Sequence, residues 1–141
     1  MTEQEARATE RHRAVIAAAF RRWSEGDSAP LFELIDENVS WTLAGSCPGG
    51  GTFQGKQQFL SRSARPLHGR LSRSPVPIVN RVIADGDIVA VQWHGSGETH
   101  SGKPYNNQYC WVLRFAGERI VEITSYLDTL AVARIFEEGD S

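Results

Sequence analysis

The chain is poor in cysteine. Its 141 residues contain two, Cys47 and Cys110, with no Cys-x-x-Cys pair, so zinc-ribbon and dithiol-redox spacings are excluded. His68, His94 and His100 show no metal-ligand spacing either, and no metal or cofactor is expected. An excess of positive charge is also missing. The formal charge of −2 argues against a general nucleic-acid binder, which is usually strongly basic. Long apolar runs are absent too. Ala14–Phe20 is too short for a membrane span and lacks a cleavage pattern, so the expected compartment is the cytoplasm, with both thiols reduced. No acidic residue occurs between Glu37 and Asp85, an interval that holds Arg62, Arg65, Arg70 and Arg73. Without interleaved aromatics to stack bases, the basic stretch Arg62–Arg73 reads as a solvated face. Gly50-x-x-x-x-Gly55-Lys56 fails as a phosphate loop, because Gln57 stands where Ser or Thr is needed.

What is present is a chain with 40% hydrophobic and 23% charged residues, long enough for one domain with its own core. No repeat or linker divides residues 1–141. Thr2-x-x-Glu5 predicts a capping box for a first helix, which carries Val15, Ile16, Ala19, Phe20 and Trp23 on one face and stops at Gly26. Asp27 or Ser28 caps a short second helix with Leu31, Leu34 and Ile35 inward. Val39, Trp41 and Leu43 alternate as a short strand, a glycine-rich loop runs from Gly45 to Gly55, and Lys56–Ala64 forms a third helix. Ser61–Ser74 has the least regular pattern. Val76–Ala84 resumes strand character, and Asp85-Gly86 marks a hairpin. Three β-branched, aromatic-rich strands follow between Ile88 and Asp128, then a helical turn at Leu130–Phe136. Helices followed by an antiparallel sheet make the class α+β.

Five pieces in this order, Trp41-x-x-x-Gly45, Gly51-Thr52-Phe53-x-Gly55-Lys56, Ala84-Asp85-Gly86-Asp87, Gly102-x-x-Tyr105-x-Asn107-x-Tyr109 and Ile120-Val121-Glu122-x-x-x-Tyr126-Leu127-Asp128, resemble the SnoaL-like polyketide cyclases and ketosteroid isomerase relatives. These belong to the nuclear transport factor 2-like superfamily. The resemblance implies a cone-shaped curved antiparallel sheet packed on three N-terminal helices, a ligand pocket inside the cone, and a homodimer through the sheet's outer face. It also implies departures. The ketosteroid isomerase base aligns with Thr42, and its oxyanion donors with Phe20 (or Ala19) and Trp111; the limonene-epoxide hydrolase set aligns with Gln92, His94 and Ser125. Neither chemistry survives those replacements.

The same alignments put Gln92, His94, Asn107, Tyr109, Trp111 and Ser125 on the interior face. They send Val91, Trp93, Cys110, Val112 and Arg114 outward, with Trp93 and Val112 as dimer anchors. His94 is then the pocket's acid/base, with Asp128 assisting, since imidazole exchanges protons near neutral pH. Gln92, Asn107 and Tyr109 polarise a carbonyl oxygen, and two of Trp23, Trp41 and Trp111, with Trp41 and Trp111 preferred, hold an apolar, flat body. Asp128 before Thr129 equally suits a helix cap, and His94 equally suits a structural bond. Cys47, with nothing nearby to lower its pKa, is a poor nucleophile. The expected function is cofactor-independent isomerisation, cyclisation or dehydration of a hydrophobic carbonyl compound. The alternatives are a non-catalytic dimeric ligand-binding or sensing domain, and a pure dimerisation module whose cone is filled by its own side chains.

Overall fold

The computed structural model describes residues 1–140, and side chains through position 138. Helix α1 spans Glu3–Ser24 and opens on the expected capping box: the Glu5 amide donates to the Thr2 hydroxyl at 3.0 Å and the Thr2 amide to the Glu5 carboxylate at 3.4 Å. Its inward stripe of Ile16, Ala19 and Phe20 is buried. Helix α2 covers Ala29–Leu34 and buries Leu31. Strand β1 runs Ile35–Leu43, beginning four residues before the alternation at Val39 predicts. Strand β2 (Gly51–Gln54) forms inside the glycine-rich segment and pairs antiparallel with β1.

Residues 56–68 are continuously helical: α3 (Lys56–Phe59), a widened π turn (Leu60–Ala64) and α4 (Arg65–His68). Pro66 is tolerated because it directly follows the π turn, whose widened backbone accommodates a ring that has no amide to donate. The predicted end at Ala64 is therefore four residues short. Strand β3 (Leu71–Arg73) lies in the stretch with the weakest pattern. β4 (Ile78–Asp85), β5 (Ile88–Thr99), β6 (Pro104–Ala116) and β7 (Arg119–Leu127) follow, and α5 (Thr129–Asp140) closes the chain.

The sheet is curved and unclosed, in the order β2-β1-β7-β6-β5-β3, with β4 also on β5. All pairings are antiparallel except β1 with β7. Irregularities in register between Val79 and Arg81 and between Arg114 and Phe115 supply local bends. The α1 helix lies across the concave side. The His12 Nδ1 donates to the Gly86 carbonyl at 2.8 Å, the Gly86 amide donates to the Thr9 hydroxyl at 2.9 Å, and the His12 ring stacks on Phe115. These contacts fasten the helix to the β4–β5 turn. No helix among the described residues is long and apolar enough to cross a membrane.

Candidate functional site

Strands β5 and β6 decide which side chains enter the cone. Residues paired across two strands share a face, and the β5–β6 register is unbroken: Val91 opposes Trp111, Trp93 opposes Tyr109, Gln92 opposes Cys110 and His94 opposes Gln108. Three residues, His100, Ser101 and Gly102, lie between the closing backbone pair Thr99 and Lys103. The Gly102 amide donates to Thr99 O at 3.0 Å and the Thr99 amide to Lys103 O at 2.8 Å, with Gly102 at φ +91°. An odd loop pairs odd-numbered positions with odd-numbered ones. Tyr109 and Trp111 face inward, so Val91 and Trp93 face inward as well.

The expected phase of β5 is therefore corrected. Gln92 and His94 lie on the outer face, while Trp93, expected outside as a dimer anchor, is 3% exposed and sits in the core. Asn107, Tyr109, Trp111 and Ser125 fall on the inner side, as expected, and Cys110, Val112 and Arg114 on the outer side. His94 engages Asn80, with 3.0 Å between its Nδ1 and Oδ1. Asp128 is exposed and caps α5, accepting from the Leu130 and Ala131 amides at 3.0 and 3.3 Å. Both border an open polar groove of about 870 Å³ on the outer face, with Asn80, Gln92, Ser96, Asn106 and Gln108. Trp93 and Tyr109 line both this groove and the cavity inside the cone.

Inside the cone, all four tryptophans of the chain converge. Trp23 and Trp93 rings are 5.1 Å apart, Trp23 and Trp111 5.5 Å, Trp41 and Trp111 5.5 Å, and Trp93 and Trp111 5.7 Å. Two are backed by parallel rings, Trp41 on Phe59 at 3.7 Å and Trp93 on Tyr109 at 3.8 Å. A cavity of about 110 Å³ remains at the centre of this cluster. Its wall is completed by Leu43, Pro48, Leu67, Pro75, Leu127 and Val132, and neither a carboxylate nor an amide side chain lines it.

The polar groups at the cavity are few. The Trp41 indole N–H donates to the Ser125 hydroxyl at 3.0 Å, a fully buried bond. Ser63, on the π turn, donates to Gly49 O at 2.8 Å and so pins the glycine loop against the helical segment. Tyr105 and Tyr109 hydroxyls lie 3.4 Å apart, and burial pushes both phenols up, Tyr109 far beyond the ordinary tyrosine range. They are hydrogen-bonding groups and not bases. Cys47 packs against the cluster of Leu71, Tyr105, Val132 and Ile135, and its thiol is also raised by burial, which removes nucleophilic character.

The histidine that reaches the cone is His68, not His94. It lies at the end of α4 on the cavity's rim, open to solvent on one side. Its Nδ1 is 2.8 Å from the Ser74 hydroxyl. Desolvation on its protein side holds its pKa below the ordinary histidine value. Alternation patterns did not mark it, because it arrives through the four-residue extension α4. Tyr105 was missed as well, although its spacing from Asn107 and Tyr109 on one strand puts all three on one face.

The architecture recurs in solved structures of low identity. Bal32a, from a soil-derived mobile gene cassette, superposes with a TM-score of 0.75 at 22% identity, over 91% of this chain and 98% of that one. A nuclear transport factor 2-like protein from Burkholderia thailandensis gives 0.73 at 22% identity, over 88% and 95%. TerC, co-crystallised with polyporic acid, gives 0.71 at 16% identity, over 88% and 96%. No curated protein matches the chain. At these identities the structures share the fold, while the sequence itself carries the family: residues 16–123 match the SnoaL-like domain, and the chain belongs to that family.

Proposed function

We propose that the protein binds a small, flat, apolar molecule inside the cone. One observation carries this reading: four tryptophans surround a residual cavity that has no charged lining. An apolar cavity of about 150 Å³ admits benzene, so about 110 Å³ suits one flat ring at most. Of the residues expected to bind substrate, Trp41, Tyr109, Trp111 and Ser125 belong to this proposal. Gln92 does not, and Asn107 acts from behind the wall.

A cofactor-independent isomerase, cyclase or dehydratase acting on a hydrophobic carbonyl compound is the second reading. It now rests on His68, since His94 and Asp128 lie outside the cone. An imidazole on the rim is competent to accept a proton near pH 7. One experiment addresses both readings. Ala64 lines the cavity, and Ala64→Leu should fill it; binding of single-ring compounds, followed by tryptophan fluorescence, is expected to weaken at least tenfold. Unchanged binding would place the ligand elsewhere. For any turnover found, His68→Gln should slow it by about a hundredfold or more while binding persists. Unaltered turnover would remove His68 from the chemistry, and no turnover at all would leave the protein a binding module.

A homodimer through the outer sheet face is part of the same proposal. The support is exposed apolar surface there, with Ile83 at 53% and Tyr126 at 51% exposure, beside Val112. A monomer in sedimentation velocity would remove it.

A further inference from the structure

Among the described residues, every side chain that lines the cavity stands on a helix or a strand except Pro48 and Pro75. Pro75 is buried and wedged against β5, where a methyl group on Gly95 would lie 2.8 Å from its Cβ. Pro48 differs. It is exposed to solvent and also forms part of the cavity wall, so it stands between the ligand space and bulk water.

Pro48 belongs to residues 44–50, which join β1 to β2. Leu43 pairs with Gly51, so the two ends of this loop are fixed side by side. The loop is folded on itself. The Gly50 amide donates to the Cys47 carbonyl at 2.9 Å, and a methyl group on Gly50 would lie 2.7 Å from the Gly45 carbonyl oxygen. Glycines at positive φ stand at both ends, Gly45 at +106° and Gly51 at +130°. Without a Cβ their backbone turns at little cost. A compact tip between two such glycines is built to move as a unit.

The base of the loop is firm, since the Ala44 amide donates to Ser125 O at 3.0 Å beside the strand pairing. The tip is held more lightly. The Ser63 hydroxyl reaches across from the π turn and donates to Gly49 O at 2.8 Å. Beneath the tip, the half-buried Cys47 packs against the cluster of Leu71, Tyr105, Val132 and Ile135. We propose, on the reading that the cone binds the ligand, that residues 44–50 are a flap that opens to admit it. Gly45 and Gly51 are the hinges and Ser63 is the latch. Opening lifts Pro48 off the cavity and uncovers the Cys47 thiol.

Cys47 is therefore a reporter of the flap. Cys110→Ser removes the chain's other thiol, and the reaction of Cys47 with an aromatic disulfide reagent is followed at fixed pH. Adding Ser63→Ala is expected to speed that reaction about fivefold, the size of one net hydrogen bond. Amide exchange in β5, β6 and β7 should stay unchanged, which separates local opening from unfolding. An unchanged Cys47 rate overturns the proposal, as does an equal acceleration of strand exchange. A second measurement needs no change at Ser63. Saturating toluene, its binding followed by tryptophan fluorescence, should slow the Cys47 reaction by holding the flap shut. Toluene that binds without slowing Cys47 overturns the flap as the entrance. Toluene that leaves the fluorescence unchanged overturns the cone as its binding site, while a faster Cys47 in Ser63→Ala would still show that the flap opens.

Discussion

The two faces of strands β5 and β6 are built from alternate residues of the same segments, yet they make opposite kinds of surface. Inward, Val91, Trp93, Tyr109 and Trp111 pack against α1 and leave an apolar cavity of about 110 Å³. Outward, Gln92, His94, Asn106 and Gln108 border an open groove of about 870 Å³. The larger space has the more familiar catalytic side chain, but its histidine is held by Asn80 and its carboxylate is occupied by a helix cap. The smaller space has aromatic walls and few polar groups. The character of the wall matters more than volume, because ligand pockets are lined mainly by apolar and aromatic side chains with a few placed polar groups.

The strongest way to break this comparison is to truncate one residue on each face. Trp111→Ala removes a side chain that is 8% exposed and touches the rings of Phe20, Trp23, Trp41 and Trp93. A loss of about 3–5 kcal/mol is expected in urea denaturation. His94→Ala on the other face should stay within about 0.5 kcal/mol. Comparable losses at the two positions would contradict the assignment of faces.

A finer cut uses neighbouring residues. Glycines at positions 95 and 97 fall on the inner face, where the segment containing Pro75 crosses β5. A methyl group on Gly97 would sit 2.5 Å from the Arg73 carbonyl oxygen, and one on Gly95 2.8 Å from the Pro75 Cβ. Gly97→Ala should therefore cost about 1–3 kcal/mol, while Ser96→Ala, pointing outward, should be close to neutral. A neutral Gly97→Ala would mean that the crossing segment is not packed on the strand.

The smallest expected effect is in pH dependence. Burial raises Tyr105 and Tyr109 above the unfolded tyrosine value of about 10. The folded state then holds protons that the unfolded chain releases. Their contribution is complete below about pH 10 and is lost as pH rises beyond it. The denaturation midpoint should fall between about pH 10 and 11.5, and less steeply in Tyr109→Phe. Equal slopes would show that Tyr109 is not the buried phenol described.

Part of the β5 phase was readable from its own pattern. Val89, Val91 and Trp93 alternate with Gln92, His94, Ser96 and Glu98, an apolar-in, polar-out sequence that favours the observed face. Alignment to relatives that keep catalytic groups on that strand pulled the reading one residue out of step, and a one-residue slip exchanges every side chain between faces. Gly102 was the second clue, since a glycine ending a three-residue loop sets the pairing. His68 offered no comparable signal. It reaches the rim only because a π turn carries the helix past Ala64 and on to Pro66.

Local chemistry along the chain was enough to specify the capped first helix, the glycine turns, the run of long strands and, through them, the α+β class and the family. These features depend on neighbours a few residues apart. Which residues share the cavity depended on contacts distant in sequence: the odd loop that registers β5 on β6, the bulges that shift phase, and the Asp128 amide that orients Asn107 from 21 residues away. Periodicity specifies that a strand has two faces. Only packing against α1 and the register with β6 decide which of them is inside.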